Sequence, residues 1–217
     1  MKNKYVTPSL LNVEKKDRLE MANTLVEQGI KWIHYDVMDG KFVPNLAIEL
    51  EEIKNINENG KKHLKDAHLM VENPLELVEL YKDIVDITTF HYEAVDHFQL
   101  LEFLKNNQHD YRIGVAIKPA TKVEEIKELL PYLQLVLVMS VEPGAGGQKF
   151  MPEALDKIKE LKRIRDINQF EYLIQVDGGI NNITGPQCFK AGADACVAGT
   201  FIVKNPTKET IQSVLGE

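Results

Sequence analysis

WIHYDVMDGKFVPN, residues 32–45, reads as an apolar strand running into a polar, glycine-containing turn. His34 and Asp36 stand two residues apart, so on a strand both side chains leave the same face. Either residue alone is explained by local hydrogen bonding near a turn. Together, at the end of an otherwise apolar run, they mark a strand end that carries chemistry. The same kind of short run recurs along the chain, predicting strands at Tyr5–Pro8, Trp32–Asp36, Leu64–Leu69, Val85–Thr89, Arg112–Ile117, Leu135–Val138, Leu173–Val176 and Ala195–Ala198. Helix-period segments separate them. Leu19, Ala22 and Val26 form an apolar stripe stopped by Gly29, Asn73–Pro74 reads as a cap and a first helical residue, and Pro152 opens a helix with Leu155, Ile158, Leu161 and Ile164 on one face. Eight such units predict a parallel sheet covered by helices, and closure into a barrel leaves no edge. The competing open, doubly wound sheet usually carries a glycine-rich fingerprint after its first strand, whereas that position reads TPSLLN (residues 7–12). The expected fold is therefore α/β, a single (β/α)₈ TIM barrel spanning residues 1–217.

The bulk properties agree with one such domain. The chain has 217 residues, 44% hydrophobic and 27% charged, with 26 Lys and Arg against 33 Asp and Glu for a net charge of −7. At this length roughly 70% of the unfolded chain's surface is buried on folding, so the core needs no staples. The acidic balance argues against nucleic-acid binding, which uses a basic face. No apolar run is long enough for a signal peptide or a membrane span, so a cytoplasmic setting without membrane attachment is expected. Cys188 and Cys196 have neither disulfide-framework nor metal-type spacing and read as buried small hydrophobes.

Three further stretches carry candidate chemistry. DAHLMVENP (66–74) ends the third strand with His68, which in a barrel lies beside His34 on the neighbouring strand. LIQVDGGIN (173–181) ends the seventh with Asp177 ahead of two glycines. Two imidazoles and two carboxylates converging at the C-terminal mouth suit a first-row divalent metal. VMSVEPGAGGQKFMP (138–152) has Gly144, Gly146 and Gly147 in a loop whose backbone can approach a ligand closely. Gly178–Gly179 and Gly199–Thr200 follow strands 7 and 8, where barrels commonly hold phosphate on free backbone amides.

The blocks PSLL, HYDVMDGKFVPN, HLMVENP, FHYEA, KPAT, MSVEPGAGGQKF, VDGGI and AGADACVAGT make the chain resemble the ribulose-phosphate 3-epimerase family from near Thr7 to near Thr200. That resemblance implies that His34, Asp36, His68 and Asp177 are metal ligands for one divalent ion (Zn, Fe, Mn or Co), and that Asp36 and Asp177 are also the acid–base pair. It implies that Ser9 and His68 lie near the substrate, that Met38, Met70 and Met139 cap it, and that Gly146, Gly147, Gly178, Gly179, Gly199 and Thr200 hold its phosphate. The implied reaction is epimerisation at C3 between D-ribulose 5-phosphate and D-xylulose 5-phosphate, a step of the pentose phosphate pathway, by a homo-oligomeric enzyme. Asn12 stands where the family commonly has serine, and Ala145 where phenylalanine is common in the loop over the site.

Two other readings use the same residues: a 3-epimerase of a six-carbon ketose phosphate such as D-allulose 6-phosphate, and a sugar-phosphate-binding barrel without catalysis. Decarboxylases and aldol-type synthases on related barrels carry a DxKxxD signature. The comparable strand end here, DVMDG, lacks that lysine.

Overall fold

Strands β1 (Tyr5–Val6), β2 (Trp32–Met38), β3 (Leu64–Met70), β4 (Ile87–His91), β5 (Ile113–Ile117), β6 (Leu135–Met139), β7 (Leu173–Asp177) and β8 (Ala195–Val197) form one parallel sheet in the order β1-β8-β7-β6-β5-β4-β3-β2. These assignments come from a computed structural model that describes residues 4–217; Met1–Asn3, at the start of the predicted domain, lie outside the described residues. The two ends of the sheet meet where Ser9 bridges His34, with the His34 N–H donating to the Pro8 carbonyl at 3.0 Å. The sheet is thus a nearly closed barrel, as the alternation predicts.

The strands are buried on both faces, and the two faces differ in what covers them. Ile33, Tyr35 and Val37 of β2, Val115 and Ile117 of β5, Val136 and Val138 of β6, and Ile174 and Val176 of β7 belong to the large core between sheet and helices. The alternate residues Trp32, Ala116, Leu135, Leu137, Met139 and Ala195 form a separate cluster inside the barrel. This is the period-two rule applied to a closed sheet: one register fixes which side chains fill the lumen. Each fully buried Leu or Val stabilises the fold by about 1.5–3 kcal/mol through area removed from water.

Helices α1 (Arg18–Glu27), α2 (Leu50–Asn59), α3 (Val78–Tyr81), α4 (His97–Asn107), α5 (Ala154–Asn168), α6 (Thr184–Ala191), α7 (Gly199–Val203) and α8 (Lys208–Leu215) cover the outside. In α5, Ile158, Leu161 and Ile164 are buried on the predicted face, and Arg165 is buried too because it pairs with Asp194 and donates to the Tyr172 carbonyl at 2.9 Å. Two expectations are corrected. Asn73 precedes a 3₁₀ turn at Pro74–Glu76 but adopts a left-handed backbone with φ of 52° and makes no capping bond. Between β5 and β6 there is no α-helix; Val123–Ile126 and Leu130–Tyr132 are 3₁₀ turns, because Pro131 cannot donate a backbone bond and disfavours helix at the residue before it. Among the described residues no helix is long and apolar enough to cross a membrane.

Candidate functional site

The register of β2 on β3 sets Asp36 beside His68, His34 beside Asp66 and Met38 beside Met70, while β6 on β7 sets Met139 beside Asp177. All of these lie on the lumen face. One ligand atom from each of His34, Asp36, His68 and Asp177 lies within 4.8 Å of all the others. His34 Nε2 is 3.4 Å from Asp36 Oδ1 and 3.9 Å from Asp177 Oδ2, and His68 Nδ1 is 3.2 Å and 3.9 Å from the same two oxygens. Tetrahedral ligands about 2.1 Å from an ion stand about 3.4 Å apart, so the set has the dimensions of a metal site. His34 Nε2 is also buried without any hydrogen-bond partner, an orphan that a cation at the centre would satisfy.

Each of these side chains is held from behind. His34 Nδ1 meets Asp66 Oδ2 at 2.6 Å, and the Trp32 indole N–H donates to Asp66 Oδ1 at 2.5 Å. Asp66, itself fully buried, therefore fixes the ring and leaves Nε2 facing the centre. The Ser9 hydroxyl donates to Asp36 Oδ2 and accepts the Leu11 N–H at 3.1 Å. Ser9 is thus turned toward Asp36 while still lining the pocket. His68 Nε2 lies 2.9 Å from His91 Nε2, and His91 Nδ1 lies 3.2 Å from Glu93 Oε2. Glu93 Oε1 in turn accepts from the Thr121 hydroxyl and from the Lys118 N–H at 2.8 Å.

The two aspartates are driven apart. Burial, then the charge of Asp36, raises Asp177 to about 7. Burial also pushes Asp36 up, but the charge of the adjacent His34 and the contact from His68 outweigh it and hold this carboxyl well below the usual range. Burial opposes charge on His34, yet Asp66 and Asp36 raise it well above an ordinary imidazole. Burial lowers His68, and lowers His91 to about 4. Glu93 falls to about 2, because the donors around it outweigh its own burial. One carboxyl ionised and its partner protonated is the division that acid–base exchange between two groups requires.

Above this cluster opens a pocket lined by Ser9, Asp36, Met38, Met70, Met139 and Asp177, with Gly146, Gly147, Gly178, Gly179, Gly199 and Thr200 on its other side. The predicted site residues are therefore brought to one mouth, His34 and His68 lying beneath it. Gly178 and Gly179 have φ of 120° and 62°, and a Cβ on Gly179 would stand 2.4 Å from the Phe150 nitrogen, so only glycine fits. Asn12 Nδ2 donates to Thr200 Oγ1 at 2.6 Å and lies where a Cβ on Gly146 would fall. The loop carrying Ala145 is tied by Gln148 Nε2 to the Glu142 and Ala145 carbonyls, and by Asn45 Nδ2 to the Gly144 carbonyl at 2.7 Å. Asp66, His91, Glu93 and Asn45 stand inside the sequence blocks without a role that the sequence alone assigns. A period-two count from His68 back to Asp66 is the signal that would have singled out the first.

Comparison with known proteins agrees with this geometry. Residues 5–203 match the model of the ribulose-phosphate 3 epimerase family. A ribulose-phosphate 3-epimerase of Treponema pallidum (strain Nichols) is 38% identical over 199 residues, covering 90% of this chain and 89% of that protein. The cytoplasmic isoform of ribulose-phosphate 3-epimerase from Oryza sativa subsp. japonica is 40% identical over 204 residues, covering 91% and 86%. Among solved structures, 3-hexulose-6-phosphate synthase superposes with a TM-score of 0.67 at 18% identity over 100% of this chain and 99% of the other. The 3-keto-L-gulonate-6-phosphate decarboxylase of Vibrio cholerae does so with a TM-score of 0.71 at 12% identity over 100% and 97%; at such identities these two attest the barrel alone. The chain belongs to the ribulose-phosphate 3-epimerase family.

Proposed function

We propose that the chain is a metal-dependent epimerase that interconverts D-ribulose 5-phosphate and D-xylulose 5-phosphate at C3. The observation that carries this reading is the His34–Asp36–His68–Asp177 cluster under a pocket with glycine backbone opposite. Inverting a carbinol carbon beside a ketone means taking a proton from one face and returning one to the other, so two proton-transfer groups must flank a flat intermediate. Asp36 and Asp177 come from strands three steps apart round the barrel and both line the pocket. Their opposed environments support one being charged while the other holds the proton, and the proton is a property of the pair. A divalent ion held by the four side chains would supply positive charge beside the sugar oxygens on which negative charge develops. Zn, Fe, Mn and Co all suit a His₂Asp₂ donor set. Met38, Met70 and Met139 offer a soft apolar roof that keeps water from the reacting carbon. Gly146, Gly147, Gly178, Gly179, Gly199 and Thr200 are the proposed phosphate contacts, through backbone amides and the Thr200 hydroxyl. A reducing, cytoplasmic setting suits the free, buried Cys188 and Cys196.

The test is a coupled epimerase assay on D-ribulose 5-phosphate, with metal content measured on the same sample and solvent deuterium followed at C3. Turnover with deuterium at C3 is expected. Chelation should stop it and a divalent ion restore it. Binding without exchange would leave only a sugar-phosphate-binding barrel, and faster turnover of a six-carbon ketose phosphate would change the substrate.

A further inference from the structure

The line of groups behind His68 does more than fill space. Glu93 Oε1 is already occupied by two donors, the Lys118 N–H and the Thr121 hydroxyl, and Oε2 faces His91 Nδ1. A carboxylate has only acceptors to offer, so His91 Nδ1 carries the proton in that contact. A neutral imidazole protonated on Nδ1 presents a lone pair on Nε2. That lone pair lies 2.9 Å from His68 Nε2, so the proton between the two rings sits on His68. His68 Nδ1 lies 3.2 Å from Asp36 Oδ1, a carboxylate that competes for the ring's proton, so the line behind His68 places that proton on Nε2 once Asp36 is engaged with a cation. His91 is fully buried, with the Phe42 ring 4.9 Å from its own by centroid, so water does not reach between the two imidazoles.

We infer that Glu93 and His91 are positioning residues that fix the tautomer of His68, presenting its Nδ1 lone pair to a divalent cation. His34 is fixed in the opposite sense, by one carboxylate acting directly on its Nδ1 and freeing Nε2. One site thus uses two histidines through different ring nitrogens, each selected from behind. For His68 the selection passes through a second imidazole, which inverts the nitrogen that remains free. The inference rests on the metal reading of the four-residue cluster.

The discriminating variant is Glu93→Gln. Its amide oxygen can keep the Lys118 and Thr121 donors, but its NH₂ then faces His91 and demands a lone pair on Nδ1. The proton on His91 moves to Nε2, where it opposes the proton on His68 Nε2 that a cation on Nδ1 requires. Two measurements read this out. In Zn²⁺-loaded protein with ¹⁵N-labelled histidine, at about pH 8 where an ordinary imidazole is neutral, His91 should carry its proton on Nδ1 in the parent protein and on Nε2 in Glu93→Gln. The Zn²⁺ affinity, from competition with a chromophoric chelator, should fall about 10–100-fold in the variant, as for other outer contacts of metal-bound histidines. Lys157→Met serves as the comparison: Lys157 Nζ holds the same loop through the Lys118, Pro119 and Thr121 carbonyls without touching the chain of rings. It should leave both readouts as in the parent. A proton on His91 Nε2 in the Zn²⁺-loaded parent would overturn the inference, as would an unchanged Zn²⁺ affinity in Glu93→Gln or an equal loss in Lys157→Met. If the parent bound no Zn²⁺ at all, the metal reading itself would fall, and the inference with it, whatever the tautomers.

Discussion

Strands β2 and β6 face each other across the barrel, both wholly buried, and their lumen faces could hardly differ more. β6 sends Leu135, Leu137 and Met139 inward; β2 sends Trp32, His34, Asp36 and Met38. Behind both strands the helix-facing side is apolar, apart from the Tyr35 hydroxyl. Packing alone satisfies β6. Every polar group on β2 needs a named partner, and Asp66, Ser9 and His68 supply them. The difference shows how the barrel carries a reactive cluster without losing its core: the polar half is a closed network, and the apolar half provides the rigidity. What the network leaves unsatisfied is His34 Nε2, at the point where chemistry is proposed.

Breaking the polar half at its centre has the largest expected effect. Asp36→Asn and Asp177→Asn should each lower turnover by about 10²–10⁴-fold, the range of general acid–base catalysis, with the fold retained. Because both are also proposed ligands, metal content must be measured in each variant. Loss of turnover at full metal occupancy assigns the carboxylate to proton transfer. Near-parental turnover would remove it from the mechanism.

The apolar half should fail in the other currency. Leu135→Ala opens a cavity in the lumen cluster and should cost about 2–5 kcal/mol of stability, read from urea unfolding, while the folded variant keeps its rate. A variant that lost rate but not stability would mean that β6 does more than pack. Asp66→Asn comes next in size. With its carboxylate gone, His34 loses the partner that selects its Nδ1–H, and metal affinity should fall about 10–100-fold. An unchanged affinity would show that register alone orients His34.

The contrast was legible in the sequence where a polar residue ends an apolar run. His34, Asp36, His68 and Asp177 stand out because burial of such groups costs several kcal/mol unless they are partnered. The phosphate-side glycines were legible for a different reason, as backbone that no side chain fits. His91 and Glu93 carry no such signal. A strand ending at Thr89 leaves His91 outside it, whereas pairing of His91 with Ala116 on β5 carries the strand to it. Asn12 and Asn45 act across 188 and 99 residues of chain, through contacts that no local pattern encodes. The missing helix between β5 and β6 was signalled only by Pro131, which competed with a helix-like period before it.

The smallest expected effect lies on the outer face of β2 and sharpens the comparison from behind. The Tyr35 hydroxyl, fully buried, meets His63 Nε2 at 2.7 Å, and His63 Nδ1 meets the Lys61 carbonyl at 2.6 Å. The ring's Nδ1–H donates to the carbonyl and the tyrosine hydroxyl donates to the lone pair on Nε2, so the contact is made by neutral histidine. Burial lowers His63 from 6.5 to about 4. The folded pKa is thus below the unfolded one, and between these values the unfolded chain binds a proton that the native protein refuses. The stabilisation is present above about 6.5 and is lost as pH falls toward about 4. Since the ring is partly exposed, an effect on the order of 1 kcal/mol is expected. His63→Gln removes this titration, so the stability gap between parent and variant should narrow as pH falls through that window. A gap that stayed constant would assign the acid sensitivity of β2 to its lumen face instead, where Asp36 and its partners are held.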